Sequence, residues 1–269
     1  MLEKIKKGIP TMGLILAVAA AVAFVVYVHV YYRGVPKPIE HISPFHAKVC
    51  VVPVGEVPEA DVAFVCDVLE AHLGREVVVR EPLPLQDEYY DPARDQYSAG
   101  GLLTYVEANA PAESYRVVGV TAADITVSQL NFVFGLARCP GKCTVMSTYR
   151  LGRYCDSDEQ RLVRFAKLII HETGHTFGLA HCRQRRCAMK FAEGYVTMDE
   201  QRPAFCERCE LRFCTIAAQD PAERRDRLEA VFGKYGLMEE VGVPAGLTPA
   251  PAPFDPTPEE GIKSIRAHR

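Results

Sequence analysis

The string HETGHTFGLAH at residues 171–181 constrains the fold of this chain more than any other feature. His171 and His175 lie four residues apart, so a helix would place both on one face. Gly178 can adopt a positive φ and end that helix, which lets the chain turn until His181 reaches the same point in space. The string therefore predicts a helix, a sharp turn and three converging imidazoles.

Three neutral imidazoles are typical ligands of a catalytic zinc ion, because they leave the fourth tetrahedral position open for water. Glu172 cannot easily reach the same ion, but its carboxylate can accept a hydrogen bond from that water. We therefore predict that Glu172 is the general base of a metal-activated hydrolysis. HExxH alone is a weak pattern, and the added glycine and third histidine make it specific. The alternative is an amphipathic helix with ordinary solvated or core histidines.

Four of the ten cysteines follow this string in two close pairs, Cys182 with Cys187 and Cys206 with Cys209. Four thiolates are the ligand set of a closed, structural zinc site. The alternative for Cys206 and Cys209 is a redox-active dithiol. We expect one catalytic and one structural zinc ion.

At these positions the sequence resembles the archaemetzincin family of metzincin zinc peptidases. The resemblance covers roughly residues 47–215, and the spacing from Met189 to Cys206 is one residue shorter than in the family pattern. The positions that match are His171, Glu172, His175, Gly178, His181, Cys182, Cys187, Met189, Cys206 and Cys209. The resemblance implies a compact α/β domain with a mixed twisted sheet and an active-site helix.

The resemblance also assigns roles to residues outside the zinc ligands. Met189 would form a Met-turn beneath the catalytic histidines, where an ordinary core methionine is the alternative. Residues 132–137 would be the edge strand above the cleft, to which an extended peptide adds as an antiparallel strand. Phe134 and Gly135 are the candidates for backbone contact with substrate. A plain hydrophobic edge strand is the alternative for this segment.

Alternating strand-like and helical patterns independently predict an α/β layout. Strands are predicted at residues 48–57, 76–80, 115–121, 132–137 and 144–147, and helices at residues 62–73 and 97–108. Ser157 and Gln160 form a capping box that begins the helix leading into the histidine string. Asp220 with Pro221 begins a last helix, which Gly236 ends.

The amino-terminal segment has the length and composition of a membrane anchor. No Lys, Arg, Asp or Glu occurs from residue 8 to residue 32, and a helix of that kind spans a bilayer. A cleaved signal peptide is the alternative. Three lysines precede the apolar run and Arg33 and Lys37 follow it, which favours an extracytoplasmic domain. Because the margin is one charge, the cytoplasmic side stays an alternative.

The remaining organisation follows from composition. We predict a short tail at residues 1–10, a transmembrane anchor at 11–32, a stalk at 33–46, a metallopeptidase domain at 47–240 and a Pro-rich flexible tail at 241–269. With 31 Lys and Arg against 34 Asp and Glu, the net charge of -3 argues against a nucleic-acid partner.

These patterns together predict a membrane-anchored zinc peptidase that acts on peptides or proteins. The alternative is a membrane-tethered, zinc-stabilised binding protein without peptidase activity. Cys139 and Cys143 flank a Pro-Gly turn, where either a disulfide or two free thiols are compatible with the sequence. The pairing of the other cysteines, Cys50, Cys66, Cys155 and Cys214, is open.

Overall fold

The computed structural model describes residues 48–238, so the predicted anchor, stalk and Pro-rich tail lie outside the described residues. Within this range, no helix is long and apolar enough to cross a membrane. The strands are β1 (Val49–Val54), β2 (Val77–Val79), β3 (Tyr90–Asp91), β4 (Gln96–Ser98), β5 (Arg116–Thr121), β6 (Ile125–Thr126), β7 (Gly135–Ala137) and β8 (Cys143–Ser147). The α-helices are α1 (Glu59–Leu73), α2 (Ala99–Asn109), α3 (Asp158–Thr176), α4 (Tyr195–Glu200), α5 (Glu207–Ala217) and α6 (Pro221–Lys234).

The main sheet has the strand order β2-β1-β5-β8-β7. The first four strands run parallel, and β7 pairs with β8 in the antiparallel direction at one edge. Every residue of β1, β5 and β8 is buried, because helices cover both faces of the sheet. The predicted α/β fold with a mixed sheet is confirmed.

The two faces of the sheet bury different helices. Val49 and Val51 of β1 join the larger core with α1, α3, α5 and α6, whereas Cys50 and Val52 join the smaller core with α2. This division follows from the alternation of side chains along a strand. The larger core supports α3, which carries the first two histidines of the string.

Helix boundaries follow the predicted caps. Ser157 Oγ accepts the amide of Gln160, while Gln160 Oε1 accepts the amide of Asp156 rather than that of Ser157. Asp220 Oδ1 accepts the amides of the first turn of α6. Both helices therefore begin where the sequence predicts, and the side chain of Ser157 satisfies one of the free amide groups at the start of α3.

Most predicted boundaries shift by a few residues: the first helix begins at Glu59 rather than at residue 62, and the first two strands are shorter than predicted. Two further differences have a clear physical reason or bear on the site. The helix predicted from residue 97 begins at Ala99, because Ser98 caps it and the preceding residues form β4 of a second sheet, β3-β4-β6. The strand predicted over residues 132–137 narrows to Gly135–Ala137. The rings of Phe132 and Phe134 instead pack with each other and with Tyr195.

Candidate metal centre and active site

Helix α3 brings His171 and His175 together one turn apart. Their Nε2 atoms are 3.0 Å apart. His171 Nδ1 lies 2.7 Å from the carbonyl oxygen of Ala188, and His175 Nδ1 lies 2.7 Å from that of Leu179. A carbonyl can only accept, so each Nδ1 carries the proton and each Nε2 presents a lone pair. The two rings are thus oriented as metal ligands by the backbone around them.

Gly178 turns the chain back toward these two rings. Its φ of 78° lies in the left-handed region, and its amide donates to the carbonyl of His175 at 2.8 Å. The ring of His181 lies 5.3 Å from that of His171 and 4.9 Å from that of His175, measured between centroids. One nitrogen of each ring lies within 4.8 Å of the others, so the three predicted ligands converge.

His171 and His175 are half-buried and His181 is more exposed. Partial desolvation, with the neighbouring imidazoles, lowers the pKa of His181 to about 4 and that of His171 well below its ordinary value. It also lowers the pKa of His175. Neutral nitrogen donors are the form that binds zinc, so this group fits a zinc ion without prior deprotonation.

Glu172 lies next to the first histidine and is only 6% exposed. Burial raises the pKa of its carboxyl to about 8. Its carboxylate end packs against the backbone of Gly135 in the edge strand β7. The structure therefore places a proton-accepting group between the active-site helix and the open edge of the sheet.

Met189 packs against the histidine helix from the core side. The side chain is fully buried, and a Cβ placed on Gly174 would lie 2.6 Å from its Sδ. The absence of a side chain at Gly174 therefore admits the thioether between the turns that carry the two histidines. The Met189 carbonyl also accepts the amide of Cys182 at 2.8 Å, which joins the two motifs.

The four predicted cysteine ligands form a second group. Their Sγ atoms lie within 4.8 Å of one another, and Cys182 and Cys206 are 3.8 Å apart. Tetrahedral zinc with bonds of about 2.3 Å to sulfur has sulfur atoms about 3.8 Å apart, so the group fits this ion. Backbone amides donate to the sulfurs of Cys182, Cys187 and Cys206.

Cys139 and Cys143 are both free thiols. Cys139 Sγ contacts the carbonyl of Leu179, whereas Cys143 Sγ contacts the carbonyl of Leu103 on the other face of the sheet. Burial raises the pKa of the Cys143 thiol to about 12, as expected for a small buried side chain. The structure therefore holds the two thiols apart rather than in a disulfide.

The backbone groups that point to the open edge of β7 are not those of Phe134 and Gly135 together, as the resemblance implied. The carbonyl of Phe134 accepts a hydrogen bond from the amide of Ser147, and the amide of Arg138 donates to the carbonyl of Cys143. In an antiparallel ladder the intervening residues Gly135 and Ala137 point their backbone groups away from β8. The backbone groups of Gly135 and Ala137 therefore point to the open edge, whereas the carbonyl of Phe134 is used in the pairing with β8.

Phe191 is a residue at the site that the sequence patterns did not identify. Its ring lies 5.0 Å from that of His181 between centroids, and the residue is 44% exposed. The ring therefore presents an apolar surface to solvent beside the predicted ligand His181. Its position two residues after Met189 is the one signal in the sequence that could have pointed to it.

Comparison with known proteins agrees with this arrangement. The family model described as peptidase family M54 matches residues 85–214. An archaemetzincin of Methanopyrus kandleri is 39% identical over 168 residues, which cover 60% of this chain and 93% of that protein. An archaemetzincin of Thermococcus kodakarensis is 33% identical over 173 residues, which cover 60% of this chain and 92% of that protein.

Solved structures give the same relationship. The crystal structure of the Methanopyrus kandleri archaemetzincin matches with a TM-score of 0.56 and 34% identity, covering 71% of this chain and 99% of that one. The crystal structure of the Archaeoglobus fulgidus archaemetzincin, complexed with malonate, matches with a TM-score of 0.55 and 29% identity. The match covers 61% of this chain and 99% of that one. The chain belongs to the archaemetzincin family and is a zinc metallopeptidase.

Proposed function

We propose that the chain hydrolyses peptide bonds of peptide or protein substrates, with His171, His175 and His181 as ligands of a catalytic zinc ion and Glu172 as the general base. The convergence of three neutral imidazoles beside a buried carboxylate carries this proposal. When bound, zinc polarises the scissile carbonyl and lowers the pKa of water toward about 7. Glu172 accepts the proton of the attacking water and then delivers it to the leaving amine.

The surroundings of Glu172 suit this shuttle. The carboxylate is enclosed by the helix and by the edge strand, so a proton held there is shielded from bulk solvent. A site with a purely structural ion has no use for a carboxylate in this position. This feature favours the peptidase over the zinc-stabilised binding protein.

We further propose that Cys182, Cys187, Cys206 and Cys209 hold a second, structural zinc ion. Four sulfur donors with tetrahedral spacing leave no open position for substrate or water. The site links the segment after the histidine string to α5, which begins directly after Cys206. It therefore stabilises the fold around Met189 rather than taking part in the chemistry.

Substrate binding follows from the free edge of β7. We propose that an extended peptide adds there as an antiparallel strand, using the outward backbone groups of Gly135 and Ala137. Ala137→Pro removes one outward amide without breaking the ladder to β8, so we expect a higher KM and little loss of stability. Leu136→Pro, in which a ladder amide is lost, is the control that should destabilise the fold. An unchanged KM in Ala137→Pro would refute strand addition at this residue.

The peptidase proposal is tested by incubating the full chain with a diverse peptide mixture and identifying products by mass spectrometry. Glu172→Gln keeps the size of the side chain but removes the base, so we expect cleavage to fall by about 10²- to 10⁴-fold. Glu159→Gln, on the exposed first turn of the same helix, is the matched control and should cut as the parent does. Cleavage by Glu172→Gln at the parental rate would refute the general-base assignment.

Zinc content, measured by elemental mass spectrometry, separates the two metal sites. We expect two ions per chain in the parent, and one in either His175→Ala or the double variant Cys206→Ser with Cys209→Ser. If the zinc-loaded parent cuts no peptide, the binding-protein alternative gains support. A single ion in the parent would refute the two-site assignment.

Membrane attachment through residues 11–32 remains a proposal that rests on the absence of charged residues from that segment. The predicted extracytoplasmic side rests on the flanking lysines and Arg33. Carbonate extraction of cell membranes tests attachment, with a chain lacking residues 1–46 as the control. Release of the full chain into the soluble fraction would overturn the proposal, and protease access from outside intact cells decides the side.

A further inference from the structure

Gly135 and Glu172 are in direct contact across the cleft. A Cβ built on Gly135 would lie 2.7 Å from Cγ, 2.8 Å from Cδ and 2.8 Å from Oε1 of Glu172. Nonbonded carbon atoms pack at about 3.5–4.0 Å, so these separations leave no room for even a methyl group. The space that a side chain would fill at this strand position is occupied by the carboxylate end of the proposed general base.

The backbone on either side of this contact is held firmly. The ladder with β8 fixes Gly135 opposite Met146. On the helix, the buried guanidinium of Arg164 binds the carboxylate of Asp199 and the carbonyl of Leu151. Strand and helix are therefore held by contacts that do not involve Glu172, and the carboxylate end is the flexible part at the contact. A methyl group at position 135 would push that end aside by roughly 0.7 Å or more to restore a normal contact distance.

We propose that Gly135 is a positioning residue whose missing side chain sets the place of the Glu172 carboxylate beside the zinc ligands, while its outward backbone groups remain open to substrate. The inference rests on the proposed role of Glu172. It assigns to Gly135 a requirement for space rather than for a positive φ, since its neighbours are in an ordinary antiparallel strand.

The test is Gly135→Ala in the full chain, loaded with zinc. A misplacement of about 1 Å can cost about 10²-fold in rate, so we expect kcat to fall by roughly that factor while KM changes by less than about threefold. Zinc content and the midpoint of thermal unfolding should stay at parental values, because only a side-chain end moves. Gly233→Ala is the matched control, since no atom lies within 4 Å of its added Cβ. It should leave kcat unchanged.

A shorter carboxylate provides a readout that a general loss of structure would not give. In a Glu172→Asp background the side chain lacks one methylene, so a methyl group at position 135 has less to displace. We expect the further loss from Gly135→Ala in that background to be at least about tenfold smaller than in the parent, as contacting residues are not additive. A crystal structure of Gly135→Ala should show the Glu172 carboxylate shifted and the histidine rings in place.

The outcomes separate this inference from the proposed function. If Glu172→Gln is inactive but Gly135→Ala keeps the parental kcat, the positioning role is refuted and the general base stands. The positioning role is also refuted if Gly135→Ala lowers kcat by the same factor in the parent and in the Glu172→Asp background. Loss of zinc or of folding in Gly135→Ala refutes it too. If Glu172→Gln is active, both fall together.

Discussion

Arg224 of α6 makes an ion pair with α5 and a hydrogen bond with α1, and its removal should destabilise the domain strongly. The residue is 2% exposed. Its Nη1 donates to both carboxylate oxygens of Glu210 on α5 at 2.7 Å, and its Nε donates to Nδ1 of His72 on α1 at 3.1 Å. The guanidinium also lies over the ring of Phe205, 4.8 Å from its centroid.

Arg224→Ala would leave a mostly buried carboxylate without a cation and an imidazole nitrogen without a donor. Breaking a buried ion pair by removing one partner costs about 3–5 kcal/mol. For a domain of this size each kcal/mol lowers the midpoint of thermal unfolding by about 2–4 °C, so we expect a drop of roughly 6–20 °C. Urea unfolding at fixed zinc concentration, followed by circular dichroism, measures the free energy directly.

Two controls make this prediction specific. Arg225→Ala removes an exposed arginine from the same helix and should change the free energy of unfolding by less than about 0.5 kcal/mol. Arg224→Met combined with Glu210→Leu leaves neither charge unpaired and should cost less than Arg224→Ala alone. A cost below about 1 kcal/mol for Arg224→Ala would refute the reasoning that the pair is effectively desolvated.

Three further predictions concern stability, each measured by urea unfolding of the zinc-loaded chain. Met189→Ala should lower the free energy of unfolding by about 2–5 kcal/mol because it empties a fully buried site. Met189→Leu should lower it by less than about 1.5 kcal/mol. Equal costs for the two variants would contradict the packing against Gly174. The φ of Gly178 is 78°, so Gly178→Ala should lower the free energy of unfolding by about 1–2 kcal/mol and Gly178→Asn by less. No loss in Gly178→Ala would contradict the left-handed conformation. Burial, with Arg224 beside it, lowers the pKa of His72 well below its ordinary value. Below about pH 6.5 the unfolded chain therefore binds more protons than the folded one. The free energy of unfolding decreases as the pH is lowered through this range. Between about pH 7.5 and 5.5 the parent should lose about 1.4 kcal/mol more than His72→Gln, and parallel pH profiles would contradict this.

Local patterns in the sequence predicted the ligand set because the required spacing lies within one stretch of chain. His171, His175 and Gly178 depend on helix periodicity and on the conformational freedom of one glycine. Ser157 and Asp220 predicted two helix starts for the same reason, since a cap involves residues two or three positions apart. Such interactions are set by covalent connectivity before the rest of the domain is considered.

Strand register could not be predicted in the same way. Phe134 and Gly135 are adjacent, yet the pairing with β8 turns the carbonyl of the first into the sheet and the backbone of the second toward the cleft. A shift of one residue would exchange these directions. Although β7 and β8 are close in sequence, β8 also pairs with β5, whose residue Val117 lies opposite Cys143. The register therefore depends on how the whole sheet packs.

Residue spacing along the chain was enough to predict the three converging histidines, the adjacent carboxylate, the helix that presents them and the α/β class. Three contacts became visible in the folded domain alone: Gly135 makes room for Glu172, Gly174 makes room for Met189, and Arg224 joins His72 to Glu210. His72 and Arg224 are 152 residues apart, and Gly135 and Glu172 come from different elements. Contacts of this kind arise from close packing of distant segments, which residue spacing does not encode.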